Sequence, residues 1–520
     1  MTAAVERQVR VELQRYGIYR VLRGLVSARP ALTGFVLLFG VLAAWSLATP
    51  QFAAPDEPAH VVKAVATVRG QFVGHPIAGL GKAYTQVRIP ATFGNAYVIP
   101  SCFAFHQAIP AGCGPVLHAM SGTVVGRTYV GRYPPLYYLL VGLPSGLRGG
   151  GIDLYLMRLV SAALSAAFLL GAFISAARSR QARLMVPGVA VGITPSMLFL
   201  GGIVNPSGLE ISAGACVWAS ALVYFTEPEQ RSRRLLLRAA LAAAVLVQLR
   251  GLSPLWLAII ALFVFAVAGW RRVRSAMGRR DVQVALGVVG LCGILAVAWI
   301  FGVGSLSLTK GSYQVSPTAS EWQVTRQAFH ETVTELSQMI GLFGWNDTRA
   351  PGLTNVVWLV GVLALVAAGL VQRRWRRGLL PIGLCAVVIV VPTVLAISQA
   401  RTLGIVEQAR YVMPLSVGIP ILAGYLAPDR AAAARWVGPL LLGGGALLGI
   451  AHCAAFVQAL HRYRTGLGTP LFSTNAKWSP PIPIGLLVAV FGVLMICYWL
   501  WWWTLPRTRV IGLGGDRTPD

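Results

Sequence analysis

Charged side chains are scarce in this 520-residue chain: they make up 12% of it, and only 17 residues are Asp or Glu. With 56% hydrophobic residues and a mean hydropathy of +0.66, that shortage excludes an ordinary soluble domain. Also missing is any soluble stretch on which the 44 Lys and Arg gather, so the net charge of +27 and pI of 10.8 do not describe a nucleic-acid binder. No internal repeat of the kind that marks inverted-repeat transporters is present. The apolar stretches are nearly free of charge, Arg238 close to one end excepted, whereas a transporter needs charged or polar groups midway through several spans. There is no cleavable signal peptide, because the basic lead of about 30 residues is too long and no small-residue cleavage site follows. The first apolar run is therefore a signal anchor. Cysteine is sparse, with seven in all. Five lie in apolar runs, where they act as small fillers.

What is present is a series of apolar runs, each about 20 residues long and so able to cross a bilayer. Basic clusters between them set the topology. Those at 7–29, 178–183, 231–238, 271–280, 373–377, 430–435 and from 507 onward hold 27 of the 44 Lys and Arg, and the positive-inside bias puts them in the cytoplasm. The arrangement that satisfies this is an all-α polytopic membrane protein of about twelve transmembrane helices with both termini inside. The spans fall at 31–49, 154–177, 184–203, 209–226, 235–250, 253–270, 282–303, 353–371, 379–398, 411–427, 436–459 and 483–505. Residues 1–30 form a basic cytoplasmic segment, either a helix on the anionic leaflet or a topogenic tail. Residues 31–505 are the membrane domain and 506–520 a cytoplasmic tail. The aromatic cluster Trp499–Trp503 suits the cytoplasmic interface.

Two exterior loops are long, 50–153 and 304–352. The first opens with Pro55-Asp56-Glu57-Pro58-Ala59-His60. An acid pair and a histidine at the mouth of a span are costly to hold near hydrocarbon and mark a functional site. From Asp56 the sequence predicts a helix of three to four turns that stops at Gly70 and puts Asp56, His60 and Lys63 on one side. The stretch 136–147 is apolar but short, and counting it as a span would push Arg178, Arg180 and Arg183 outside. A membrane-surface or re-entrant helix is the better reading. Cys102 and Cys113 share this loop, where an oxidising compartment permits a disulfide; two free thiols are the alternative.

The ordered motifs Pro-Asp-Glu-Pro-Ala-His, Arg132-Tyr133-Pro-Pro-Leu-Tyr137-Tyr138, Asn205-Pro-Ser-Gly, Gly344-Trp345-Asn346-Asp347-Thr and Arg410-Tyr411-Val-Met-Pro resemble the domain-of-unknown-function family 2142 of bacterial membrane proteins, over roughly residues 31–430. That family in turn is similar to the GT-C superfamily of glycosyltransferases. The resemblance implies a GT-C-like fold with juxtamembrane helices in the first exterior loop and an acid pair, here Asp56 and Glu57. It also implies a sugar donor carried on polyprenyl phosphate and inversion at the anomeric carbon. Two positions depart from the pattern: Ser207 stands where an acid is usual, with Glu210 nearby, and Ala409 where Gly is expected.

Inverting transfer needs one base and cationic help for the departing phosphate. The resemblance and the motif's place assign the base to Asp56, with Glu57 orienting it or helping to hold a divalent cation, Mg or Mn, to which His60 would be a third ligand. Acids capping a helix N-terminus are the plainer alternative. Arg250 and Arg410, at exterior ends of spans, are the first candidates for the phosphate, followed by Lys63, Arg132 and Arg158; snorkelling to headgroups is the alternative for each. Tyr133, Tyr137 and Tyr411 are candidates to stack on sugar or isoprenoid, Asn205 and Glu210 for the substrate, and Trp345, Asn346 and Asp347 for the acceptor side. The expected partners are thus a polyprenyl-phosphate sugar, a glycan or lipid acceptor and membrane lipid, at the exterior face of the bacterial cytoplasmic membrane. A transporter of lipid-linked sugar and a non-catalytic partner subunit with the same fold are the rivals.

Overall fold

The computed structural model describes residues 29–508, apart from 79–83, 307–314, 317, 372–374, 403, 406–407, 429–436 and 472. The basic N-terminal segment, the cluster at 430–435 and most of the C-terminal tail lie outside the described residues. All twelve apolar stretches fold as helix, but their lengths differ from the expected pattern. Among the described residues eight helices are long and apolar enough to cross a membrane, or ten if each of two bent pairs is one span.

The single-helix spans among the first elements are α1 (Pro30–Ala48), α4 (Gly151–Arg178) and α7 (Pro206–Thr226). Between α1 and α4 lie α2 (Glu57–Thr67), an antiparallel sheet of β1 (His75–Pro76), β2 (Thr85–Pro90) and β3 (Thr123–Thr128), and the short α3 (Leu136–Gly142). The expected span at 184–203 is bent by 67° between α5 (Ala182–Gly192) and α6 (Pro195–Gly201). Pro195 supplies no N–H, and the residue before a proline avoids the helical region. The freed carbonyl of Val191 accepts from Trp358 Nε1 at 2.9 Å.

After α8 (Arg233–Val247), the chain bends by 111° between α9 (Ser253–Ala268) and α10 (Trp270–Met277), then runs through α11 (Arg280–Val303). The second long loop holds α12 (Glu321–Leu336) and a hairpin of β4 (Leu342–Phe343) and β5 (Thr348–Arg349). The remaining helices are α13 (Gly352–Leu370), α14 (Leu380–Gln399), α15 (Met413–Ser416), α16 (Gly418–Leu426), α17 (Val437–Thr465) and α18 (Ile484–Thr508). Two expected spans fall short. The helix α8 has 15 residues, about 22 Å of rise against a hydrocarbon core of about 30 Å. The tenth is divided into α15 and α16 around Val417.

The first loop is also not all-helical. Thr85–Pro90 alternates buried and exposed residues, the period-two signature of a half-buried strand, and β3 pairs with it along its whole length. By contrast, 136–147 yields only the seven residues of α3, too few to span. Packing explains which side each span turns. Trp45 of α1 is fully buried among the rings of Phe199, Phe343 and Phe456, at 5.0 to 5.8 Å. On α11, Val284, Leu291, Ile294 and Leu295 are each more than half exposed. So wide an apolar surface is a liability in water and a natural face to lipid.

Candidate functional site

The descent of α1 brings the chain to Asp56, and the structure separates the two acids there. Asp56 has φ +62°, in the left-handed region that Asp tolerates better than most residues, and its side chain makes no capping bond to α2. The helix-cap alternative is therefore not what this carboxylate does. It turns into a cavity of about 480 Å³ and keeps 23% of its side chain exposed there. Tyr129 Oη donates to Asp56 Oδ1 at 2.5 Å, and Arg410 Nη2 donates to Oδ2. Arg410 Nη1 and Asn205 Nδ2 both reach the carbonyl of Pro55, at 3.2 and 3.1 Å, which fixes the turn.

Glu57 faces the other way and is fully buried against Arg158. All five guanidinium donors of Arg158 are used. Nε and Nη2 go to the two Glu57 oxygens at 2.7 and 2.5 Å, and the rest go to the carbonyls of Ser46, Thr49 and Pro50. Those carbonyls lie at and just past the end of α1, where a helix leaves acceptors unpaired. The backbone N–H of Val204 also donates to Glu57, at 3.1 Å. Glu57 and Arg158, expected at the reacting atoms, thus form the strut beneath Asp56.

A second cation and acid stand beside the first. Arg250 Nη1 donates to Ser207 Oγ at 3.0 Å and lies 3.6 Å from Glu210, whose other oxygen accepts from Ser253 at 2.6 Å. Ser207, at the position that departs from the motif, and Glu210 one turn on therefore share Arg250. The guanidinium groups of Arg250 and Arg410 lie 4.3 and 5.4 Å from the ring of Tyr411, and that of Arg250 lies 5.9 Å from Tyr133. All of these except Ser207 and Ser253 line the cavity, with His60. Its lining also includes the apolar side chains of Leu252, Trp256, Pro392, Leu395 and Ala396.

Burial raises the Asp56 pKa, but the Arg410 guanidinium, the His60 imidazole and the Tyr129 hydroxyl outweigh it and hold the carboxyl below its usual value. It is ionised at neutral pH. Burial and the charge of Asp56 push the Tyr129 hydroxyl well above its usual range, so it stays a donor. His60 is pushed down to about 3, chiefly by burial, with Asp56 opposing and Arg410 and Arg250 adding to the fall. Its Nδ1 lies 2.8 Å from Tyr138 Oη. The folded chain leaves this imidazole neutral where the unfolded chain, with an ordinary value near 6.5, binds a proton. Stability present above pH 6.5 is therefore lost as pH falls toward 3. Melting temperatures measured across that window are expected to drop less in a His60→Gln variant than in the wild type.

The remaining expected residues are elsewhere. Lys63 is buried, donates to the carbonyls of Phe72 and Gly131, and is lowered to about 7 by burial. Arg132 donates to the carbonyl of Val303 and ties the first loop to the end of α11. Tyr137 is buried beside Ser161 at 3.0 Å. Trp345, Asn346 and Asp347 make the turn of the β4–β5 hairpin, away from the cavity. Trp345 Nε1 donates to Phe52 O, and Asp347 pairs with Arg462 at 2.9 Å. Cys102 and Cys113 are joined in a disulfide, Cα–Cα 6.2 Å.

The three residues expected to hold Mg or Mn do not converge, because Glu57 faces Arg158 and His60 faces Tyr138. Among the described residues no group of three His, Cys, Asp or Glu side chains is placed to hold an ion. The donor set does not fit a divalent cation, and no step below passes through one. Sequence reasoning missed Tyr129, Glu335, Gln408 and Arg462. Tyr129 directly follows the alternating run of β3, the one local signal available. The others carry none.

The helices and the polar cavity define a multi-pass helical membrane protein. The chain belongs to the family described as Predicted membrane protein (DUF2142), whose pattern matches residues 39–419. No curated protein matches it. Among solved structures it is similar to ArnT from Cupriavidus metallidurans in the apo state, with a TM-score of 0.43, 14% identity, and coverage of 92% of this chain and 77% of that one. The same protein bound to undecaprenyl phosphate gives a TM-score of 0.41, 14% identity, and coverage of 92% and 78%.

Proposed function

We propose that the protein is an integral-membrane inverting glycosyltransferase that moves a sugar from a polyprenyl-phosphate donor to a hydroxyl acceptor of a cell-envelope glycan or lipid. One observation carries the reading: an ionised carboxylate, Asp56, and two guanidinium groups, Arg250 and Arg410, line one cavity together with a set of apolar side chains. A phosphate ester on a hydrocarbon tail is the complement of that surface, since guanidinium groups pair with phosphate oxygens and the apolar side chains accept the first isoprene units. The donor class itself comes from the family resemblance in the motifs.

In the proposed step the acceptor oxygen attacks the anomeric carbon and the bond from that carbon to the phosphate oxygen breaks. Its electron pair stays on the phosphate, where Arg250 and Arg410 stabilise the developing charge. The acceptor proton passes to Asp56, and Tyr129 orients that carboxylate. Glu57 and Arg158 position the segment without touching substrate. We place the site on the exterior face of the bacterial cytoplasmic membrane, with both termini inside. A donor preassembled on a lipid suits that side.

The test is turnover by purified protein in proteoliposomes with a panel of polyprenyl-phosphate sugars. The expected result is release or transfer of sugar from at least one donor. Binding and movement of donors across the bilayer with no bond cleavage would contradict the reading and favour a transporter.

A further inference from the structure

The cavity lining carries two chemically different polar groups. Arg250 and Arg410 bring positive charge to one. To the other, α12 contributes Thr332 and Glu335, the end of α14 contributes Gln399, and Gln408 stands directly before the Ala409–Tyr411 turn. Glu335 is held in place: Gln338 Nε2 donates to Oε1 at 2.5 Å and the backbone N–H of Ala409 to Oε2 at 3.3 Å. Among the described residues the buried Oε1 of Gln408 has no hydrogen-bond partner. A buried acceptor left unpaired is unfavourable, so this group is complementary to a donor of hydrogen bonds. A phosphate offers little of that at neutral pH and would be repelled by Glu335, whereas a neutral polyol offers several O–H groups.

The turn Ala409–Tyr411 connects the two groups. Its first residue holds Glu335 through a backbone bond, and its next two put Arg410 and Tyr411 beside Arg250. A hydroxyl at Glu335 and a phosphate at Arg410 are therefore linked through a single turn.

We propose that the part of the cavity lining formed by Glu335 and Gln408 is the acceptor subsite and takes a neutral, hydroxyl-rich ligand whose O–H groups donate to these two side chains. Burial raises the Glu335 pKa, and Glu331 adds to the rise while the bonds from Gln338 and Ala409 oppose it. Each Glu335 oxygen takes one hydrogen bond, from Gln338 or Ala409, and a carboxylate oxygen accepts more than one, so both can still receive an O–H. The inference rests on the transfer reading above.

Glycerol serves as the probe. With a donor that the wild type turns over, the ratio of glycosyl-glycerol to free sugar measures the choice between glycerol and water, and only folded, active molecules contribute to it. In Glu335→Ala the ratio is expected to fall about tenfold or more, the loss of one hydrogen bond to a charged group. Gln408→Leu is expected to lower it less. Farnesyl phosphate, which probes the guanidinium groups alone, is expected to bind both variants within about twofold of the wild type. Ratios unchanged in both variants, or farnesyl phosphate binding lost in step with the ratio, overturn the acceptor assignment and leave the transfer reading standing. Release of no sugar from any donor by the wild type overturns the transfer reading, and this inference with it.

Discussion

Exchange of Asp56 for Asn is expected to lower the rate of sugar release by about 10²–10⁴-fold, the range a positioned proton acceptor contributes. Asn keeps the size of the side chain, tolerates the left-handed backbone and still accepts from Tyr129. What it cannot do is take a proton or balance the charge of Arg410. Because Arg410 loses its carboxylate partner, it is freer to meet the donor phosphate, so the donor KM is expected to hold or fall while kcat collapses. In the wild type, the decline in sugar release that reports Asp56 is expected below pH 3.8, since the Asp56 pKa lies under that value. Wild-type turnover by the Asn variant would remove Asp56 from the reaction. Loss of folded protein in proportion to activity would reduce it to a structural residue.

The second large effect is on stability. Glu57→Ala leaves the fully buried Arg158 without its counter-charge, and breaking such a pair costs about 3–5 kcal/mol. Arg158→Met is expected to cost at least as much, because it strands Glu57 and also the carbonyls of Ser46, Thr49 and Pro50. Replacing both residues by apolar ones does not restore wild-type stability for the same reason: the carbonyls stay unpaired. Thermal unfolding of the purified variants measures this. A Glu57→Ala protein as stable as the wild type would show that the strut beneath Asp56 does not exist.

The contrast between the neighbours Asp56 and Glu57 shows how far the motif could be read. The helical spacing put Asp56, His60 and Lys63 on one side; Asp56 and His60 do line one cavity, whereas Lys63 turns to the carbonyls of Phe72 and Gly131. Adjacent residues entering a helix point about 100° apart, however, and the left-handed backbone at Asp56 widens the difference. An acid pair in sequence need not be an acid pair in space. Arg250 and Arg410 were legible as guanidinium groups at the ends of apolar runs, and both line the cavity.

The rest depended on contacts between distant parts of the chain. Tyr129 reaches Asp56 because β3 pairs with β2. Glu335 reaches the cavity because α12 folds against α14, where the hydroxyls of Thr332 and Thr393 meet at 3.1 Å. Gly344-Trp345-Asn346-Asp347 was readable as a turn, but Asp347 spends its charge on Arg462, which lies in α17. Helix lengths departed from the expected spans where hydropathy said nothing about length, as in the 15 residues of α8.

The central claim is that Arg250 and Arg410 hold the phosphate of a polyprenyl lipid next to Asp56. It is tested most directly by native mass spectrometry of the purified protein with undecaprenyl phosphate, using phosphatidylglycerol as the competing anionic lipid. One undecaprenyl phosphate retained by the wild type and lost from an Arg250→Ala, Arg410→Ala protein that remains folded is the predicted result. Equal retention by the two proteins, or displacement by phosphatidylglycerol at comparable concentration, would contradict it.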